Sequence, residues 1–220
     1  MTSVRHLPTR TLAGVAAAFI LGYPCFVLAA NVVQLGHYDA ASQAMSALAL
    51  GRDGWLMTLA FISLGVGNLL MGPLVRRLVP RAIVGPGLLA ASACTTLLSA
   101  VFQTDADGAS STLHGTIHIA LGLGSFVLVI ASMTACGVSY LRSSSHRGLG
   151  VASLIWAVLQ LGAVVLTFVL PDSLFGVGQR AILAVAITWL LTTCVVAFRN
   201  AGYGSPTRLH SAVPLVGSAR

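Results

Sequence analysis

Lysine and glutamate are both absent from this chain of 220 residues, and charged side chains of every kind make up only 8% of it. Soluble domains of ordinary composition are about 25% charged. With 56% hydrophobic residues and a mean hydropathy of +0.91, the chain is built for solvation by lipid rather than water. Cysteine is scarce as well. Cys25, Cys94, Cys136 and Cys194 each lie inside an apolar run and none belongs to a CxxC pair. That excludes a zinc knuckle, a dithiol redox motif and a disulfide framework, and leaves small buried hydrophobes. No chain of charges crosses the middle of the apolar runs, which argues against an ion pump or proton relay. An internal repeat of the kind that marks many transporters is also missing. The net charge of +7 is spread singly and in small groups between apolar runs, whereas nucleic-acid binders gather theirs on one soluble face.

What the chain does contain is six long apolar segments, at residues 11–35, 55–74, 83–102, 113–141, 149–170 and 181–198. Each is close to or above the ~20 residues a helix needs to cross the hydrocarbon. Lipid offers no partners to open strands, so the segments must be helices. Short connections make neighbouring helices antiparallel and adjacent. The expected fold is therefore all-α: a bundle of six transmembrane helices forming one domain over residues 1–199. Residues 200–220, rich in Gly, Ser and Pro, read as a mobile cytoplasmic tail. The first segment is longer than the roughly 7–15 residue core of a cleaved signal peptide, and is read as a retained helix.

The arginines set the orientation. Arg5, Arg10, Arg76, Arg77, Arg81, Arg142, Arg147, Arg199, Arg208 and Arg220 all fall at one end of the expected bundle. By the positive-inside rule that end is cytoplasmic, with both termini there and the plasma membrane as the location. Asp39, Asp53, Asp105, Asp107 and Asp172 all fall at the other. Between the first two helices the outer loop 36–54 holds an amphipathic pattern. Asp39 is placed to cap a short helix with Ala41, Ala44, Met45 and Leu48 on one face, stopped by Gly51 and lying on the outer surface.

Chemistry-bearing residues concentrate at that outer end. His114 and His118 are four apart and share one face at the start of the fourth helix, His118 a turn deeper. The N-terminus of a helix favours the neutral imidazole that a metal ligand or a general base requires. Asp105 and Asp107 precede the helix closely enough to fold back toward it. Asp105, His114 and His118 together make a usable zinc set with a position left for water. The plainer alternative has His118 hydrogen-bonded to a neighbouring helix and His114 in the headgroup region. Arg180 stands at the start of the sixth helix, against both the helix dipole and the positive-inside bias. It implies either a structural ion pair with Asp105, Asp107 or Asp172, or a clamp on a lipid phosphate or carboxylate. Arg52 beside Asp53 reads as a solvated pair of little weight. Asn31, Gln34, Asn68 and Gln160 are expected to hydrogen-bond between helices, and Ser63, Ser92 and Ser125 to permit close approach. Trp55, Trp156 and Trp189 read as packing or interface anchors.

The stretch 42–48 followed by Gly54-Trp55-Leu56-Met57, then Asp105 with His118, then Gln179-Arg180 and Trp189, resembles the Domain of Unknown Function 998 family of prokaryotic multi-pass membrane proteins. The likeness extends from the first helix to the sixth. It implies the fold and places the site on Asp105, His118 and Arg180, but supplies no activity. Members of that family usually carry an acid in a Ser-Glu-Leu-like motif before the second helix, where this chain has Ser46-Ala47-Leu48. Three functions follow in order of preference. The first is binding of a lipid or small anion at the outer face, or assistance to another membrane component. The second is a metal-dependent hydrolase in which Asp105, His114 and His118 hold the metal and Ser46 or a bound water attacks. The third is a transporter.

Overall fold

The computed structural model describes residues 7–203. Among these the protein is all helical, with no strand. The long helices are α1 (Thr9–Val33), α2 (Trp55–Leu78), α3 (Val84–Ser99), α4 (Leu113–Leu141), α5 (Arg147–Val169) and α6 (Phe175–Tyr203). Each packs on the next in the chain, and α6 returns to α1, so the helices form a closed ring. Across the middle α2 touches α6, whereas α4 and α6 barely meet. The tail expected from residue 200 lies, beyond Tyr203, outside the described residues.

Five helices are long and apolar enough to cross a bilayer. The exception is α3, whose 16 residues rise only about 24 Å against a hydrocarbon thickness of about 30 Å. Helical turns nevertheless extend past both of its ends. Gly87 donates its N–H to Ile83 O at 3.0 Å, and Phe102 donates to Leu98 O at 3.0 Å. These are the limits, 83–102, that hydropathy sets.

Small hydroxyl residues sew the helices together. Ser63 Oγ donates to Phe19 O at 2.6 Å across α1 and α2, and Ser92 Oγ lies 3.1 Å from Ser125 Oγ across α3 and α4. Ser132 Oγ donates to Gly85 O at 3.0 Å, and the fully buried Trp189 donates its indole N–H to Ser153 Oγ at 3.0 Å across α5 and α6. Each such bond stabilises a membrane bundle by about 1 kcal/mol or less. The larger amides follow expectation only in part. Asn31 bonds its own helix at Val27 O and also accepts from Arg180 of α6 at 3.4 Å. Gln34 turns to the loop between α1 and α2, and Asn68 Oδ1 and both Gln160 amide atoms are buried without a partner among the described residues.

Two boundaries also differ from expectation. Hydropathy starts the sixth helix at 181, but α6 begins at Phe175 and includes Gly176 and Gly178. Those glycines are contact points rather than breaks. A Cβ on Gly176 would collide with the carbonyl oxygens of Gln43, Ala40 and Ala41. The surface helix between α1 and α2 is replaced by a turn over 40–43 and a 3₁₀ helix, Met45–Ala49, with Met45, Ser46 and Leu48 buried. Asp39 makes a local turn, its Oδ1 accepting from Ala41 N at 2.9 Å and its Oδ2 from Ser42 Oγ at 2.6 Å. An α-helix would need the carbonyls of residues 40–44 for itself. Here Arg180 takes Ala40 O, Val177 N takes Ala41 O, and the Tyr38 hydroxyl reaches both Gln43 O and Ala44 O.

Candidate functional site

The loop between α1 and α2, the outer one in the orientation that the arginines imply, is held at both ends by side chains from the bundle. At its far end Gln34, buried at the C-terminus of α1, donates Nε2–H to Leu48 O and Arg52 O, both at 2.9 Å. At its near end the clamp is Arg180. One guanidinium nitrogen donates to Ala40 O at 2.7 Å and Gly176 O at 3.0 Å. The other reaches Tyr38 Oη at 2.9 Å and Asn31 Oδ1 at 3.4 Å. The guanidinium also lies over the Tyr38 ring, 5.6 Å from its centroid. Burial pushes the Tyr38 phenol above its ordinary value, against the opposing pull of Arg180.

The expected ion pair of Arg180 with Asp105, Asp107 or Asp172 is thus corrected. Among the described residues Arg52 and Asp53 form the single ion pair, at 3.7 Å and largely exposed. Arg180 sits in the second turn of α6, not at its start, where backbone carbonyls of the loop are nearer than any carboxylate. It also lines a groove of about 390 Å³ between α1 and α6, with Tyr23, Asn31 and Leu183.

Asp105 has a different task. Its carboxylate accepts from Thr112 N at 2.9 Å and Thr112 Oγ1 at 2.6 Å, and Thr112 in turn caps α4 by accepting from Gly115 N at 3.1 Å. The carboxylate presses on Gly115, where a Cβ would collide with it. These bonds, the Thr112 hydroxyl first, hold the Asp105 carboxyl below its usual range. Asp107 accepts from Gln43 Nε2 at 3.0 Å and so ties the α3–α4 loop to the outer loop. His114 is exposed, its ring 5.3 Å from that of Phe102. His118 is 8% exposed and its Nδ1 lies 2.7 Å from Phe102 O.

The zinc set of Asp105, His114 and His118 is therefore not assembled. Among the described residues no three His, Cys, Asp or Glu side chains gather as a metal centre would require. Each oxygen of Asp105 is engaged by Thr112 at the start of α4, and His118 is turned to the Phe102 carbonyl. Nor do Asp105, His118 and Arg180 share one pocket.

Two cavities do meet at His118. An inner chamber of about 60 Å³ is lined by Tyr23, Ser46, Thr96, Ser99, His118, Ser125 and Gln179 among apolar neighbours. A cleft of about 290 Å³ runs where α4 and α6 fail to pack, between Ile119, Leu123, Phe126, Phe168, Phe175 and Ile182. Ser46, His118, Gly122, Phe126 and Gln179 line both spaces. A carbonyl oxygen can only accept, so His118 Nδ1 carries the proton and a neutral ring presents Nε2 as an acceptor. Gln179 Oε1 accepts from Met45 N at 2.6 Å, which leaves its NH₂ as a donor. Ser46 is 7% exposed. Its hydroxyl, His118 Nε2 and Gln179 Nε2 form no hydrogen bond within the described residues and stay accessible, unlike the enclosed unpaired atoms Asn68 Oδ1, Tyr140 Oη and the Gln160 amide. The sequence pointed to Ser46 and His118 together only as nucleophile and metal ligand of a hydrolase. Gln179 drew notice only as part of the Gln179-Arg180 pair, since its role depends on a loop 134 positions away.

A ring of apolar helices with a half-buried polar seam near one end defines a multi-pass membrane protein. The chain belongs to the family described as Protein of unknown function (DUF998), which matches residues 12–196. Neither the curated proteins nor the solved structures provide a match to it.

Proposed function

We propose that the protein binds a lipid-like amphiphile in the cleft between α4 and α6, with its polar group against Ser46, His118 and Gln179. One observation carries the reading. Ser46, His118 and Gln179 line both spaces, where an apolar cleft meets a polar chamber. Polar groups left free beside an accessible cavity can bond a ligand or water there without first giving up a protein contact. Apolar walls with a few convergent polar groups are the usual make-up of a ligand site.

In this reading the chain crosses the membrane six times, with α3 as a short span completed by the turns at 83 and 102. The arginine-rich end lies in the cytoplasm, and the cleft opens toward the outer leaflet. A small anion beside Arg180 is the second reading, favoured by a guanidinium that has no carboxylate partner among the described residues. Purified protein carrying a photoreactive lipid tests the first. Cross-links are expected on Ile119, Leu123 and Ile182, with an Ile182→Trp variant losing most of them. Cross-links spread evenly around the ring would overturn it.

A further inference from the structure

We infer that Ser46, His118 and Gln179 form an acyl-transfer site that cleaves a long-chain carboxylic ester, a reading that rests on the cleft as a lipid site. Covalent acyl transfer needs a nucleophile, a base within reach of it, a group that orients the base, and a donor for the developing oxyanion. Each part has a named residue. Ser46 Oγ is the nucleophile. His118 Nε2 is the base, with the ring oriented by its Nδ1–H on the Phe102 carbonyl at 2.7 Å. Gln179 is the oxyanion donor, its amide fixed by the bond from Met45 N at 2.6 Å. That bond also ties the residue before the nucleophile to the donor, so the two move together.

The two cavities divide the substrate. The cleft walls of Ile119, Leu123, Phe168 and Ile182 suit an acyl chain lying along α4. The inner chamber, with hydroxyls from Thr96, Ser99 and Ser125, is large enough for a few waters. Ser46 Oγ attacks the ester carbonyl carbon as its proton passes to His118 Nε2, and the carbonyl oxygen becomes an oxyanion held by Gln179 Nε2–H. The C–O bond to the alcohol then breaks, and the alcohol leaves with the proton from His118. Water from the chamber, deprotonated by the same Nε2, attacks the acyl-serine. Release of the fatty acid returns the proton to Ser46, so the sum is ester plus water giving acid plus alcohol. Ser46 and His118 line the same spaces without a hydrogen bond between them, and catalytic pairs often tighten only in the complex with substrate.

The test treats the detergent-purified full chain with a fluorophosphonate bearing a long alkyl arm and maps the adduct by peptide mass. One adduct per chain is expected on Ser46, lost in Ser46→Ala. In His118→Asn, which keeps an N–H for the Phe102 carbonyl and deletes Nε2, labelling should slow about a hundredfold. Lipid bound to the same samples is followed by native mass spectrometry. No adduct on wild-type Ser46 while lipid remains bound overturns acyl transfer and leaves the cleft reading intact. An adduct that forms equally fast in His118→Asn also overturns it, since Ser46 would then be merely accessible. Absence of both adduct and bound lipid overturns the cleft reading as well.

Discussion

The clamp beneath the outer loop and the seam of the cleft lie on the same two turns of α6, yet they treat polarity in opposite ways. Arg180 spends its donors on Ala40 O, Gly176 O, Tyr38 and Asn31. Its neighbour Gln179 commits one amide atom to Met45 N and, like Ser46 and His118, keeps another accessible to the cavities. Groups that are already satisfied hold structure. Groups left open near an accessible cavity are available to a ligand. The residue with the more conspicuous charge is therefore the structural one, and the quieter neighbour belongs to the site.

Substitution at Arg180 should break this contrast most visibly. Arg180→Met removes the donors to Ala40 O and Tyr38 of the loop, Gly176 O of α6 and Asn31 of α1, and is expected to lower stability by about 3 kcal/mol. Denaturant or thermal unfolding in detergent measures it. Arg180→Lys keeps the charge but not the planar fork, and is expected to lose most of the same stability. Full stability in Arg180→Lys would mean that charge, rather than the fork, holds the loop. Gly176→Ala comes next. Its Cβ has nowhere to go between three loop carbonyls, and such overpacking costs about 1–3 kcal/mol.

These clamps also explain what the sequence concealed. Apolar run lengths were enough to find all six helices, five of them long and apolar enough to cross a bilayer, because such length is read directly from composition. The fate of residues 39–49 was not legible. Their amphipathic pattern is real, but a local pattern cannot show that Arg180, some 140 residues away, will take Ala40 O. The same distance hid the role of Gln179 and the close approach of the loop carbonyls to Gly176. For the histidines, i,i+4 spacing correctly placed His118 a turn deeper than His114. Spacing could not show that Asp105 would turn to Thr112 instead of toward them.

Asp105 gives a smaller effect with a pH signature. Its carboxyl is held below the ordinary value by the Thr112 hydroxyl and N–H, so the folded protein binds that proton less readily than the unfolded chain. The stabilisation is complete above the unfolded value of about 3.9. It is lost as pH falls through the lower folded value. Asp105→Asn should therefore cost less stability than either clamp variant at neutral pH. It should also flatten the acid limb of the unfolding midpoint against pH. An unchanged acid limb would assign that dependence to another carboxylate, with Asp39 next in line because Ser42 holds its carboxyl low in the same way.

The smallest stability changes are expected in the cleft, and there a null result is the informative one. Ser46→Ala removes a hydroxyl with no protein partner, and His118→Asn keeps the bond to Phe102 O while deleting an unpartnered nitrogen. Neither leaves a newly orphaned group behind, so each should fall within about 0.5 kcal/mol of the parent. Retained lipid should nevertheless drop in both, as read by native mass spectrometry on samples matched for fold. Stability lost without a change in bound lipid would place Ser46 and His118 with Arg180, as parts of the scaffold. Stability kept with lipid lost would separate them, because a group that does little for the fold but much for the ligand is one the fold has left open.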